Sequence, residues 1–320
     1  MVRALNKIPI GVSSCLVGNN VRYNGGNCHK SYITGIYAEY FDYKIVCPEV
    51  AAGLGVPRPT LFLVEDIQKS ILSVKTNKTN NDVTDKIQKA VDMLISKLDN
   101  VYGFILKAKS PSCGVETARV FDENHGYTGI KADGLFVRAL REYDPLLPIE
   151  DDGKLTDRTL RDHFLRKVFC YHSLKTEFMA CSNITQMMEY HSKHKVLLRM
   201  HNNKVKKELG NMLSEAGNKV NIETIKYRYI ELFMQAIAKP AKRGAHYMAL
   251  QNVLREINKK ISKAQRQYLQ ELLNKYRDCK ISWEVPVSVI RMYLIELDIP
   301  YLEKQSYLNP YPENLNYIED

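Results

Sequence analysis

Over the first 150 residues, short apolar runs alternate with stretches of helical periodicity. Helices are predicted near Ser31 to Tyr40, from about Asp82 to Leu98, and after Asp133, whose side chain we expect to cap the run GLFVRALREY. Strands separated by helices pair in parallel, with right-handed crossovers and helices on both faces. The apolar runs that supply the predicted strands are Ile8 to Val12, Lys44 to Val46, Leu61 to Val64 and Phe104 to Leu106.

The pattern changes around residues 145–154, where DPLLPIEDDG is predicted to be a linker. Almost everything beyond it has helical periodicity. Ser262 and Gln265 predict a capping box at the start of one helix, and the tail that begins IPYLEKQSYLNPYP is expected to be extended. The sequence therefore predicts two domains: residues 1–150, a Rossmann-like α/β domain with a mainly parallel sheet, and residues 151–320, an all-α domain. Two apolar stripes support the helical prediction: Leu160, Phe164, Leu165, Val168 and Phe169, and Ile225, Tyr229, Leu232, Phe233 and Ala236.

Composition and charge narrow the functional classes. The apolar fraction of 45% and charged fraction of 26% are ordinary for a soluble globular protein, and we expect a cytoplasmic protein with no membrane segment. The net charge of +10 is concentrated in residues 193–280, which hold 20 Lys and Arg against 7 Asp and Glu. Such a stretch is typical of a surface that binds a polyanion, and the alternative is a solvated helical face.

Three of the seven cysteines share one context. Cys15, Cys47 and Cys113 each follow a predicted strand and lie beside Gly or Pro. In an open parallel sheet, the loops after the carboxyl ends of the strands share one edge, where ligands bind. Thiolates gathered there suit an iron–sulfur cluster or zinc, and three ligands would leave one iron of a cluster open as a Lewis acid. The alternative is that all three are buried structural thiols.

Other polar groups lie near these thiols in the sequence. Glu49 and Ser110 are candidates for proton handling, although a solvated loop carboxylate is the simpler interpretation of Glu49 alone. Cys28 is given no ligand role. Two further sets have no metal-ligand spacing and are expected to be core, surface or packing residues: Cys170, Cys181 and Cys279, and His191, His194, His201 and His246.

The motifs GVSSCLVG, VRYNGG, VCPEVAAGLGVPRP and KAKSPSCG together resemble the thiouracil desulfidase family. The C-terminal half, with RDHF, YRYIELFMQAIA and YLEKQSYLNPYP, resembles a helical domain of formerly unknown function that is often fused to the first. The two resemblances cover almost the whole chain. Proteins with this fusion are similar to bacterial desulfidases that remove sulfur from 4-thiouridine in transfer RNA.

The resemblance implies a role for each matching residue. Cys15, Cys47 and Cys113 match the three ligands of a 4Fe–4S cluster, Glu49 matches the acid/base carboxylate, and Ser110 matches the serine that assists it. The implied reaction is non-redox: water replaces sulfur on the base, and the sulfur leaves as hydrogen sulfide.

The expected partner is tRNA containing 4-thiouridine, and no protein partner is predicted. Phosphate contacts would supply most of the affinity. Candidates for contact with substrate or RNA are Arg22, Arg58, Lys204, Lys206, Lys207, Lys242, Arg243 and His246.

Three other functions stay open at this point. One is a desulfidase of free thiouracil or thionucleosides, with the helical domain as a lid or assembly surface. Another is an RNA-binding protein whose cysteines hold a structural cluster or zinc. The third is a sulfurtransferase that carries a persulfide on one reactive cysteine without iron.

Overall fold

The computed structural model describes residues 7–66, 71–77, 79–216 and 221–317. The chain divides into two compact units, residues 1–172 with 313–320, and residues 173–312. This division lies later than the domain boundary that the sequence predicts near residue 150, because the helix after the predicted linker, α5 (Arg158–Ser173), is counted almost wholly with the first unit.

The first unit contains a four-stranded sheet in which every pairing is parallel. The strand order is β2-β1-β5-β8. Strand β1 therefore pairs with both β2 and β5, as predicted for an α/β domain. The bounds are β1 Ile8–Ser13, β2 Phe41–Val46, β5 Phe104–Leu106 and β8 Ile149–Asp151.

A second four-stranded sheet of this unit was not predicted. Its order is β4-β3-β6-β7; β3 pairs in parallel with β6, and the two outer pairings are antiparallel. Only the apolar run at Leu61 to Val64 was visible in the sequence, because β7 is largely solvent-exposed and has little apolar alternation. The bounds are β3 Leu61–Asp66, β4 Ile71–Thr76, β6 Ala118–Phe121 and β7 Tyr127–Ala132.

The helices of the first unit confirm three predicted positions. The segment near Ser31 to Tyr40 forms a π-helical turn that continues into a short α-helix. The predicted cap at Asp133 is wrong: Gly134 precedes α4, and the Asp133 carboxylate instead accepts from Glu116 N–H (2.8 Å) and pairs with Arg141 (2.9 Å). The α-helices that precede α5 are α1 Ala38–Tyr40, α2 Pro48–Ala51, α3 Thr84–Ile95 and α4 Leu135–Tyr143.

The second unit is helical throughout its described part, which confirms the predicted all-α character. Helix α7 breaks at Asn202, and α10 begins with the predicted capping box of Ser262 and Gln265. The tail is not extended as expected: it forms turns and the short helix α12. The bounds are α6 Ile184–Lys193, α7 Lys195–Glu215, α8 Ile222–Ala236, α9 Arg243–Ile257, α10 Lys263–Arg277, α11 Glu284–Leu297 and α12 Pro300–Glu303.

Within the described ranges, no helix combines the length and the apolar character required to cross a bilayer.

The parallel sheet has a tightly packed apolar interior. Ile10, Val12 and Phe104 are fully buried, and the Phe104 ring meets Phe136 edge-on at 5.7 Å between centroids. A Cβ at Gly11 would lie 1.9 Å from the Phe104 ring, so only glycine lets these two strands and this ring occupy the same space.

Gly134 tests how tightly the fold holds the loop that carries Cys113. A Cβ at Gly134 would lie 2.4 Å from the carbonyl of Ser112 and 2.8 Å from the nitrogen of Cys113. Because these are backbone atoms, we expect Gly134→Ala to lower the free energy of unfolding by about 1–3 kcal/mol or more, measured by urea denaturation. The helical Gly244 has no neighbour within 4 Å of such a Cβ, so Gly244→Ala is the control and should change stability by less than about 1 kcal/mol. Equal stability of both variants would contradict this packing.

Candidate functional site

The carboxyl edge of the parallel sheet collects the groups that the sequence singled out. Cys47 directly follows β2, and Cys15 lies two residues past β1 in a 3₁₀ turn, Ser14–Val17. Lys107 follows β5, and Asp152 follows β8. Because all four strands run in the same direction, these residues lie along one edge in strand order.

Cys15, Cys47 and Cys113 line one cavity of about 300 Å³, as the sequence predicts. Cys15 and Cys113 are buried, and Cys47 is partly exposed. The other residues that line this cavity are Ser13, Ser14, Val21, Arg22, Tyr23, Val46, Pro48, Glu49, Arg58, Thr60, Leu61, Lys107, Ala108, Lys109, Ser110 and Pro111.

Burial and mutual proximity hold these thiols in the protonated form. Burial raises the pKa of Cys15 to about 12, and the neighbouring Cys28 and Cys47 raise it further. Burial also raises the pKa of Cys113, with Cys47 as the next cause, and burial raises that of Cys47. The thiols are therefore close enough to oppose one another's charge, and a cation is needed to hold all three as thiolates.

The donor set fits a cluster better than a single ion. Among the described residues, no three His, Cys, Asp or Glu side chains are close enough to share one metal ion. In a 4Fe–4S cluster each thiolate binds a different iron, so the ligands stand further apart. Three thiols around a cavity of this size satisfy that requirement, and the positive iron would offset the cost of ionising them.

Glu49 lies in the first turn of α2, two residues after Cys47, and its two carboxylate oxygens have different partners. Oε2 accepts from Arg58, at 2.9 Å from Nε and 2.7 Å from Nη2. Oε1 accepts from the hydroxyls of Ser110 (3.3 Å) and Ser112 (3.2 Å). The carboxylate is thus fixed in orientation at the wall of the cavity, close enough to Cys47 and Cys113 for its charge to raise the pKa of both thiols, although less than burial does.

The loop after β5 holds Ser110 in a single hydrogen-bonding arrangement. Its Oγ accepts from the N–H groups of Ser112 (3.2 Å) and Cys113 (3.1 Å) while donating to Glu49. The same hydroxyl therefore orients a cysteine and the carboxylate. Ser112, the other serine beside Pro111, is fully buried.

The two arginines predicted near the substrate differ in their surroundings. The Arg58 side chain is only 4% exposed, and besides binding Glu49 it donates to the carbonyls of Gly55 and Val21, each at 2.9 Å. It therefore positions Glu49. Arg22 also lines the cavity and lies over the ring of Tyr23, 5.4 Å from its centroid, so it is the arginine available to a substrate.

Sequence reasoning missed the polar network on the Cys15 side of the cavity. The N–H of Lys107 donates to Ser13 Oγ at 3.0 Å, and Ser13 in turn hydrogen-bonds Cys113, which lowers the pKa of that thiol against the larger effect of burial. The Lys107 ammonium pairs with both oxygens of Asp152. Asp152 lies in the segment that the sequence predicts to be a linker. Asp152 directly follows the strand IED, so identifying that strand would have placed Asp152 at the same edge of the sheet.

The remaining cysteines lie outside the cavity. The Cys28 N–H donates to the Cys15 carbonyl at 2.9 Å, but Cys28 does not line the cavity. Cys170 and Cys181 are buried and Cys279 is exposed, as expected of core and surface thiols.

His191 and His194, for which packing roles are expected, are buried in the second unit. His191 bonds Tyr229 at 3.0 Å and His194 bonds Ser306 at 2.7 Å, and burial lowers the pKa of His191 to about 4 and that of His194 to about 3. Neutral buried rings of this kind are core residues, which agrees with the packing role expected for them.

The predicted RNA-contacting residues of the second unit fall into two groups. Lys204 and Lys207 on α7 are exposed, whereas Lys206 is partly buried. Burial lowers the pKa of Lys206, and the nearby cations Arg199, Lys195 and Lys207 lower it further, so positive charge is concentrated here.

The second group lies at the start of α9. Lys242 is exposed, but the other two residues have structural partners. Arg243 donates to the carbonyl of Tyr276 (2.8 Å) and lies over its ring, and His246 packs against Trp283 and Tyr307. Of this group, Lys242 has the side chain most available to a polyanion.

Comparisons with known proteins match the N-terminal and C-terminal parts of the chain to two different families. Residues 10–152 match the family described as 2-thiouracil desulfurase, and residues 195–312 match a family described as a protein of unknown function, DUF1722. The chain is 31% identical over 134 residues to the uncharacterized protein YbbK of Bacillus subtilis, covering 40% of this chain and 85% of that one. It is 22% identical over 155 residues to the uncharacterized protein YbgA of Escherichia coli, covering 48% of this chain and 92% of that one.

Among solved structures, a protein described as the 4Fe-4S-dependent thiouracil desulfidase TudS is similar to this chain at 28% identity. It covers 47% of this chain and 94% of its own, with a TM-score of 0.38.

The raised thiol pKa values predict how the iron-free protein reacts with iodoacetamide. Because only the thiolate is alkylated, a pKa of about 12 in place of 9.0 leaves Cys15 about a thousandfold less ionised below pH 9 than an ordinary thiol. We expect exposed Cys279 to be labelled first and Cys15 to be labelled faster as the pH rises, measured by mass spectrometry of peptides between pH 7 and 10. Unfolded protein in urea is the control, in which all seven cysteines should react. Rapid labelling of Cys15 at pH 7 in the folded protein would contradict its burial.

Proposed function

Because the chain belongs to the 2-thiouracil desulfurase family, we propose that it is a desulfidase that acts on 4-thiouridine in tRNA and releases uridine and hydrogen sulfide. The observation that carries the proposal is the joint lining of one cavity by three thiols and a carboxylate with a fixed orientation. Thiols alone would suit a structural metal. A carboxylate beside them supplies the proton transfer that hydrolysis of a carbon–sulfur bond needs.

In this proposal Cys15, Cys47 and Cys113 hold a 4Fe–4S cluster. When bound, such a cluster supplies a Lewis-acidic iron with affinity for the sulfur of the base. The chain supplies the rest of the site. Its loops surround the cavity with backbone and hydroxyl donors. Ser13 hydrogen-bonds the Cys113 thiol, and Ser110 Oγ accepts from the Cys113 N–H.

Glu49 is the base for the attacking water. Arg58 holds Oε2, so Oε1 is the oxygen that receives a proton, and the two serine hydroxyls stabilise its charge beforehand. The reaction exchanges C=S for C=O and water for hydrogen sulfide, without a change of oxidation state. Ser110 keeps its O–H directed at Glu49, so the carboxylate has a fixed orientation when it takes the proton of the water.

The second unit supports RNA rather than a free base as the substrate. The cluster of Lys195, Arg199, Lys206 and Lys207 has no ion pair within the described ranges, and exposed Lys204 and Lys242 add to the charge. Unpaired cations of this density bind phosphates with release of counterions. The target base would have to leave its stack to reach a cavity of this kind.

Free thiouracil is the second candidate substrate. A cavity of about 300 Å³ lies at the lower end of the range for small-molecule sites, which is a size typical of sites for small ligands. The description of the matched family also names thiouracil.

The two substrates are separated by measuring sulfide release under anaerobic conditions. We expect the iron-loaded protein to release sulfide from tRNA containing 4-thiouridine with a kcat/KM at least about tenfold above that for free 4-thiouracil, because phosphate contacts add binding energy. The advantage should shrink steeply as salt rises from 50 to 200 mM.

A triple variant tests whether basic residues of the second unit contribute to activity on tRNA. It replaces Lys204, Lys206 and Lys207. Their joint replacement by alanine should lower activity on tRNA and flatten its salt dependence, while activity on the free base stays unchanged. Equal activity on both substrates, unaffected by these lysines, would favour free thiouracil. Bound iron and RNA without any sulfide release would favour an RNA-binding protein with a structural cluster.

Glu49 is tested by Glu49→Gln. The amide keeps the shape of the side chain but cannot accept the proton of water, so kcat/KM should fall by about 10²–10⁴-fold. Iron and sulfide content should stay at the wild-type level, because Glu49 is not a ligand. Glu123, exposed in the turn between β6 and β7, is the control, and Glu123→Gln should keep full activity. Wild-type turnover by Glu49→Gln would remove the proposed base.

A further inference from the structure

Lys107 places a second charged group at the wall of the cavity. It follows β5 directly, and its N–H donates to Ser13 Oγ at 3.0 Å. This bond fixes the backbone of Lys107 beside the end of β1 and the turn that carries Cys15. The side chain is 24% exposed and lines the same cavity as the three thiols.

Asp152 fixes the ammonium. The two carboxylate oxygens lie 2.9 and 2.8 Å from Lys107 Nζ, and Oδ1 also accepts from the N–H of Ala108 at 2.7 Å. The Asp152 side chain is 3% exposed, so the carboxylate is held by the fold and not by solvent. A lysine held at both carboxylate oxygens loses little further freedom when it binds a ligand.

The third N–H of this ammonium distinguishes Lys107 from Arg58. Across the described residues, Lys107 Nζ donates only to Asp152, whereas Arg58 donates to Glu49, Gly55 and Val21. A lysine ammonium has three donors. One donor at the wall of the cavity is therefore left for a ligand.

The strand order places Glu49 and Lys107 at different parts of the cavity wall. Glu49 lies in the helix that follows β2, and Lys107 follows β5, with β1 and the turn that carries Cys15 between these two strands. Both side chains line the cavity. A substrate there would thus have a carboxylate at one part of the wall and an ammonium at another.

We propose that Lys107 is a further catalytic residue whose third N–H donates to the sulfur atom that leaves the substrate and stabilises it as hydrosulfide. This inference rests on the proposed desulfidation. The water oxygen replaces sulfur on the carbon, one proton of the water departs with the hydrosulfide, and the other is released through Glu49. No oxidant or reductant takes part, and Lys107 remains an ammonium throughout. Asp152 is a positioning residue that acts through Lys107.

Hydrosulfide itself is the probe. The anaerobic, iron-loaded protein is titrated with sodium sulfide in the absence of substrate, and binding is followed by visible absorbance. Loss of a hydrogen bond from a charged donor should raise the apparent Kd of Lys107→Met about tenfold or more, whereas Lys107→Arg should stay within about threefold of wild type. Asp152→Asn, which frees the ammonium, should weaken binding to a smaller extent than Lys107→Met.

Lys30 supplies the matched control. Its ammonium lies 3.8 Å from the same Asp152 carboxylate but does not line the cavity, so Lys30→Met should bind sulfide as wild type does. Iron content is measured for every variant. Wild-type sulfide affinity in an iron-loaded Lys107→Met protein would overturn the proposal, as would equal weakening in Lys30→Met. Failure of the proposed function would look different: the wild-type protein would release no sulfide from thiolated substrates.

Discussion

The parallel pairing of β1 with β2 on one side and β5 on the other is the constraint on which the site depends. It brings positions separated by dozens of residues to one edge, so that Cys47, Cys15 and Lys107 each begin a loop there. The pairing in turn depends on Gly11, because any larger residue would collide with the Phe104 ring. The absence of a side chain at Gly11, in the middle of β1, is therefore needed to bring Cys15 and Lys107 together at the end of the strands.

Two ion pairs, Arg58–Glu49 and Lys107–Asp152, fix the charged side chains at that edge. Arg58 has four donor contacts and fixes Glu49, whereas Lys107 is itself fixed by Asp152 and retains a donor. Both pairs are largely buried, and removing one partner of a buried pair leaves an unpaired charge at considerable cost. The arrangement holds the carboxylate and the ammonium in place before any substrate arrives, which is the condition for effective electrostatic stabilisation.

Much of this could be predicted from the sequence, for identifiable reasons. The strands of the parallel sheet that lie in apolar runs were found, and the three cysteines were placed together because strand ends share an edge. The strand β8, IED, was missed because two of its three residues are acidic, although its first and last residues are buried. Strand β7 of the second sheet was missed because it is largely exposed and lacks a periodic apolar pattern.

Individual contacts were beyond sequence reasoning. Nothing in the order of residues indicates that Arg58 would bind Glu49, or that Asp133 would bond Glu116 N–H rather than begin a helix. Both depend on where loops cross in space. The motif surrounding Cys113 gave Ser110, but the buried Ser112 two positions later contributes an equivalent bond to the same oxygen.

The hydroxyl of Ser110 has one consequence for entropy. An ordinary serine rotates its O–H among several acceptors, and a reaction that needs one orientation must wait for it. Here two backbone N–H groups occupy the lone pairs, so the hydrogen has one acceptor to which it can turn. The loop has already given up that rotational freedom during folding, and the encounter with substrate does not have to supply it again.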